Sequence, residues 1–112
     1  MEDLRKQKCV ACRADAPRVT DDELPALLKE IPDWRPITKD SVLMLNRVFK
    51  FDDYEQSLKF TQKVAALAKE EDHHPAILLE WGKVEVTWWT HKIGGLHKND
   101  FIAAAKTDNL NT

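Results

Sequence analysis

The chain lacks any apolar run approaching the ~18 residues that a membrane span needs, and its opening stretch, Met1 to Lys8, has no apolar core of the kind a signal peptide carries. A cytoplasmic location is the expectation. A dominant charge is missing too: 17 basic residues meet 19 acidic ones, for a formal net charge of −2. So weak a field leaves no footprint for nucleic acid or an anionic membrane. Cysteine is scarce, and the two present, Cys9 and Cys12, are expected to stay reduced in the cytoplasm. A Cys-x-x-Cys pair can be half a zinc site or a redox pair. The second pair is absent and no βαβ pattern surrounds this one, so the reading is two free thiols in a mobile arm. Repeats and low-complexity segments are absent as well.

What is present fits one folded domain. Apolar residues make up 43% and charged residues 32% of the 112. A chain of this size buries roughly two-thirds of the surface its unfolded form exposes. It can fold without disulfides or a structural metal, and can gain from oligomerising.

Residues 1–19 read as a flexible N-terminal arm and residues 20–112 as the single domain. Thr20 and Glu23 have capping-box spacing, and Leu24, Leu27, Leu28 and Ile31 recur at helical intervals until Pro32. Pro25 is tolerable there only in the first turn. Trp34–Ile37 and Val42–Phe51 read as strands. Asp52 with Glu55 offers the cap of a long helix whose stripe includes Tyr54, Leu58, Val64, Ala65, Leu67 and Ala68. Ile77–Glu80 and Val84–His91 form a second strand pair around Trp81-Gly82-Lys83. Gly94-Gly95 then breaks the chain, and a last helix covers about Lys98 to Lys106. The order α-β-β-α-β-β-α favours an α+β fold, an antiparallel sheet with helices on one face.

All four histidines fall within residues 73–97. His73 and His74 adjoin Pro75 just after the long helix, and His91 ends the last strand. Alternation along that strand puts Glu85, Thr87, Trp89 and His91 on one face, with Val84, Val86, Trp88 and Thr90 on the other. A face carrying Glu, Thr and His is either solvent or a site. A lone histidine is more often a surface or hydrogen-bonded structural residue. Two adjacent histidines before a proline, with a third on a neighbouring strand, make acid–base chemistry a real competitor, because imidazole titrates near neutrality.

Zinc would want three or four ligands closing on one point, and neighbours on an extended segment point opposite ways, with no HxxxH spacing present. Nucleophilic catalysis would want a Ser or Cys in a recognisable setting, and none is found. Acid–base work on a bound small molecule asks least of the sequence. Asp100 falls about three residues into the last helix, where a carboxylate satisfies free backbone N–H groups and meets the positive end of the helix dipole whatever the function. Trp34, Trp81, Trp88 and Trp89 read as core or interface.

The pattern Lys69-(three residues)-His73-His74-Pro75-(five)-Trp81-(nine)-His91-(eight)-Asp100 resembles the signature of pterin-4a-carbinolamine dehydratases, also described as dimerisation cofactors of a homeodomain factor. The stretch from Glu80 to His97 is similar to the bacterial branch, and the resemblance runs from about Thr20 to Asp108. It implies a four-stranded antiparallel sheet with three helices packed on one face, assembled as a homodimer or homotetramer. It implies loss of water from a 4a-hydroxytetrahydropterin to give quinonoid dihydropterin, with no metal and no organic cofactor, so that the pterin of an aromatic amino-acid hydroxylase is recycled.

By position, His73, His74 and His91 match the family's catalytic histidines and Asp100 its acidic partner, with Glu70, Pro75 and Thr90 in support. On that match His73 and His91 are candidate general acids on opposite sides of the substrate, while His74 holds the pterin or takes the N5 proton. One departure is Lys69, where many relatives carry Glu; Glu70 is then the candidate replacement. Two other uses of the same residues stay open: a regulatory or binding module acting on a hydroxylase or its regulator, and a metal site built from His73, His74 and His91.

Overall fold

The computed structural model describes residues 4–7 and 18–111. Three helices and four strands follow in the expected order: α1 (Leu24–Lys29), β1 (Arg35–Lys39), β2 (Val42–Lys50), α2 (Tyr54–Glu71), β3 (Ala76–Glu80), β4 (Lys83–Trp88) and α3 (Lys98–Leu110), with 3-10 turns at Leu4–Lys6 and His91–Ile93. The strands form one antiparallel sheet in the order β1-β2-β4-β3. Register decides which residues enter the core. Leu45 pairs with Trp88 and Phe49 with Val84, so both rows of the central strands turn the same side chains toward the helices. There they meet Phe60, Val64 and Leu67 of α2 and Phe101, Ile102 and Ala104 of α3. The alternate residues, including Asn46, Glu85 and Thr87, belong to the uncovered face.

The capping box at Thr20 forms as read, Thr20 N–H reaching Glu23 Oε1 at 3.0 Å and Glu23 N–H reaching Thr20 Oγ1 at 3.2 Å. Pro25 lies in the first turn of α1. The cap of α2 shifts by one residue from the expectation: Asp53, not Asp52, accepts from Gln56 N–H at 2.8 Å. The helix's buried arc is also different from the stripe read in the sequence. Ser57, Phe60, Val64, Leu67, Ala68 and Glu71 face inward, while Tyr54 and Leu58 are 46% and 37% exposed and Ala65 lies at the surface. Two polar residues can join that arc because each is satisfied. Ser57 Oγ donates to Asp53 O at 2.9 Å, and Glu71 pairs with Lys106 of α3 at 3.1 Å.

β4 ends at Trp88, three residues before the expected His91. Thr90 N–H donates to Gly95 O at 2.8 Å, and this bridge closes a loop in which Gly94 takes φ 59°, a left-handed conformation that suits glycine. His91 therefore sits on a turn. The start of the expected loose arm is held rather than free: Leu4 is 2% exposed and belongs to the core cluster with α3. Further along, Val19 N–H reaches Leu96 O at 2.8 Å. Cys9 and Cys12 lie outside the described residues.

The β1–β2 turn places two non-glycine residues in left-handed conformations, Asp40 at φ 52° and Ser41 at φ 67°, the pattern of a two-residue hairpin that favours Asn-Gly. An L-residue costs about 1–2 kcal/mol there, while a glycine gives back about 0.5–1 kcal/mol through its unfolded-state freedom. Ser41→Gly is thus expected to stabilise the protein by roughly 0.5–1 kcal/mol, read as a higher denaturant midpoint at unchanged slope.

Candidate active site

The end of α2, the start of β3, the end of β4 and the first turn of α3 converge at one end of the sheet. Asp72 closes α2 in a left-handed conformation (φ 51°) with its N–H on Ala68 O and Lys69 O. The chain reverses there, and His73 N–H returns to Ala68 O at 3.1 Å. His73 turns inward and is 4% exposed, whereas His74 faces solvent.

The inward half of the site is organised by Asp100, which is 0% exposed. His73 Nε2 lies 2.6 Å from Asp100 Oδ1. Thr90 Oγ1 donates to Asp100 Oδ2 at 2.7 Å, and His97 N–H donates to the same oxygen at 2.9 Å. The imidazole of His73 lies against Trp88, with ring centroids 5.3 Å apart and planes 21° from parallel. Trp88 is itself fixed by donating its indole N–H to Thr107 Oγ1 at 3.1 Å. A carboxylate only accepts, so His73 carries its proton on Nε2 and, when neutral, keeps its lone pair on Nδ1.

The outward half pairs the next residue of each segment. His91 Nε2 lies 3.2 Å from His74 O. A carbonyl also only accepts, so Nε2 is again the protonated nitrogen and Nδ1 is the one left to exchange protons. The His91 ring stands 4.4 Å from that of Trp89. Residues 73–74 and 90–91 therefore face each other across the site. His73 and Thr90 meet inside through Asp100, and His74 and His91 meet outside through a main-chain carbonyl.

Trp89 also walls a groove of about 440 Å³ on the uncovered sheet face, lined in addition by Asn46, Ala76, Glu85 and Thr87. Asn46 Nδ2 donates to Glu85 Oε2 and Thr87 Oγ1, each at 3.0 Å. Glu85, Thr87 and Trp89 thus share a face as strand alternation requires, and His91 adjoins them from the turn beyond.

Of the residues singled out in the sequence, His73, Thr90 and Asp100 are joined directly, and His91 reaches the backbone of His74. Pro75 is half-buried between them and β3, and Glu70 is exposed on α2. The buried carboxylate at that helix end is instead Glu71. Among the described residues, no three His, Cys, Asp or Glu side chains are grouped as a metal site requires, and no helix is long and apolar enough to cross a membrane. Sequence reasoning missed His97, whose Nδ1 accepts from Asn99 N–H at 3.0 Å and completes a capping box with Asp100. The signal was there: His97 and Asp100 have the spacing of such a box, with imidazole where Ser or Thr is usual.

A family model described as pterin 4 alpha carbinolamine dehydratase matches residues 17–110. A protein of Marinobacter nauticus is 62% identical over 110 residues, covering 98% of this chain and 99% of its own length. One of Nitrosococcus oceani is 59% identical over 110 residues, covering 98% and 97%. Both are named provisionally as pterin-4-alpha-carbinolamine dehydratases. A solved structure from Brucella melitensis, described as a transcriptional coactivator/pterin dehydratase, superposes with a TM-score of 0.77 at 28% identity, over 86% of this chain and 100% of that one. Another, described as a pterin dehydratase-like protein that is a RuBisCO assembly factor in the α-carboxysome, gives 0.60 at 30% identity, over 70% and 88%.

Proposed function

Because the chain belongs to the pterin 4 alpha carbinolamine dehydratase family, we propose that it dehydrates 4a-hydroxytetrahydropterin to quinonoid dihydropterin, recycling in the cytoplasm the cofactor of an aromatic amino-acid hydroxylase. The observation that carries this reading is the buried His73–Asp100–Thr90 cluster lying directly behind the exposed His74 and His91.

The reaction breaks the C4a–O bond. The lone pair of N5 forms the new N5=C4a bond, the hydroxyl leaves as water after gaining a proton, and N5 loses its own proton. One acid and one base are needed, and the proton count balances without an oxidant or a reductant. In its protonated form His91 offers Nδ1–H to the leaving oxygen, since Nε2–H is held by His74 O. His73 is the candidate base. Its Nε2–H is tied to a carboxylate, which orients the ring and leaves Nδ1 as the accepting nitrogen. This reading differs from the expectation that both residues act as acids, because the bond to Asp100 fixes which nitrogen of His73 is free to accept. The exposed His74 ring holds the pterin, and Trp89 beside His91 supplies an aromatic surface for a flat heterocycle.

The test generates 4a-hydroxypterin in place with phenylalanine hydroxylase and follows its decay by absorbance with and without the protein. Decay faster than the spontaneous reaction is the expected result. No acceleration from a folded sample would transfer the bet to a second reading, a partner-binding module. That reading is favoured by the exposed Tyr54 and Leu58 on α2 and the uncovered sheet face, and by the partner roles in the descriptions of the two solved relatives. Self-association into a dimer or tetramer is compatible with either, since the same exposed residues are available to a second copy.

A further inference from the structure

The imidazole of His97 is 8% exposed and uses its ring nitrogen Nδ1 as the N-cap acceptor of α3. A capping acceptor must hold a lone pair, and a protonated imidazole has none to offer at either nitrogen. The same residue's main-chain N–H donates to Asp100 Oδ2, whose partner oxygen holds His73. The side chain that caps the helix and the carboxylate that orients His73 are thus two halves of one reciprocal box.

We propose that His97 is a positioning residue: its neutral imidazole locks the first turn of α3 and thereby the Asp100 carboxylate, and gaining a proton at His97 releases Asp100 from its orientation toward His73. This deepens the dehydratase reading and rests on it for its kinetic consequence. On protonation, Nδ1–H and Asn99 N–H would face each other as two donors, so the turn must shift. The new imidazolium also competes with His73 for the Asp100 carboxylate. The charged and titratable groups acting on His97 are Asp100 from its own helix and His73 from the α2–β3 connection. Thr90, from the end of β4, is an uncharged partner on the shared carboxylate.

Burial holds His97 below the ordinary imidazole range, against the pull of Asp100 and with the added push of His73. The unfolded chain therefore binds this proton more readily than the folded one. The cap's full contribution to stability is present above the unfolded value of about 6.5 and is lost as pH falls toward and through the lower folded value.

The experiment compares the full chain with His97→Asn, which keeps a capping oxygen but does not titrate, and with His97→Ala, which has no cap. Imidazole chemical shifts of His73 are followed by NMR across about pH 4.5–8, the range in which imidazoles change charge, and kcat and KM are measured over the same range. In the parent protein, His73 shows a second inflection that coincides with the titration of His97, and kcat falls through it with KM little changed. His97→Asn is expected to abolish that second inflection and move the acid limb of kcat to lower pH. His97→Ala should lower kcat at every pH, and His97→Asn should rescue most of that loss. A His73 titration and an acid limb that are the same in parent and His97→Asn would overturn the proposal. The NMR arm needs no substrate, so an inactive protein whose His73 still senses His97 sinks the dehydratase reading and leaves the coupling standing.

Discussion

Replacing His73 by alanine is expected to lower kcat for carbinolamine dehydration by about 100-fold or more, the usual scale for removing a positioned acid or base. His91→Ala should fall in the same range. The two losses have different signatures, because the two rings occupy different environments. His91 lies at the surface, so its removal leaves an open space beside Trp89 and costs the fold little. Added imidazole can diffuse into that space and restore part of the rate. His73 is packed on Trp88 and bonded to Asp100, so added imidazole must regain both contacts to replace it, and rescue should be weaker than at His91. His73→Gln completes the set: the amide N–H can still donate to Asp100 but cannot take a proton, and its rate should stay as low as that of His73→Ala while its thermal stability recovers. Wild-type rates in both His73→Ala and His91→Ala would exclude histidine acid–base catalysis at this site.

The parts of this site that could be read from the sequence are those fixed by local rules. Asp100 was legible because a carboxylate in the first turn of a helix has a local electrostatic reason to be there, and that role is fulfilled by its bond to His97 N–H. Its two further partners come from Thr90 and His73, 10 and 27 residues away, and no local rule reports such distances. Strand alternation placed Glu85, Thr87 and Trp89 together, since the period of two survives any register. The same rule carried His91 too far, because the Thr90–Gly95 bridge ends the strand early. On α2, choosing residues by apolarity selected Tyr54 and Leu58, which are exposed, and passed over Ser57 and Glu71, which are buried. Both belong inside only because a backbone carbonyl and Lys106 satisfy them. Leu4 had no signal at all, being a single apolar residue among charges that finds its partners on a helix near the other end of the chain.

Asp100→Ala is expected to have the largest effect on stability, and its size separates two accounts of this carboxylate. If Asp100 served only to cap α3, its loss would cost about 1 kcal/mol, as for other helix caps. The structure gives it three donors in a fully buried setting, from His73, Thr90 and His97. Truncation leaves all three without an acceptor, and each buried unsatisfied donor costs about 1–3 kcal/mol. These costs are not additive, since Thr90 can rotate its hydroxyl to another acceptor. A total of about 3–5 kcal/mol is expected from these unsatisfied donors together. For a domain whose whole stability is of order 5–15 kcal/mol, that is a fall in melting temperature on the order of 15 °C. Asp100→Asn keeps the volume and one carbonyl oxygen but turns an amide N–H₂ toward a donor, so it should lose about half as much stability. Its kcat should nevertheless fall nearly as far as that of His73→Ala, because an amide cannot orient and polarise the imidazole as a carboxylate does. A loss near 1 kcal/mol for Asp100→Ala would reduce the residue to its cap and remove the physical basis for treating His73 as a base held in place by Asp100.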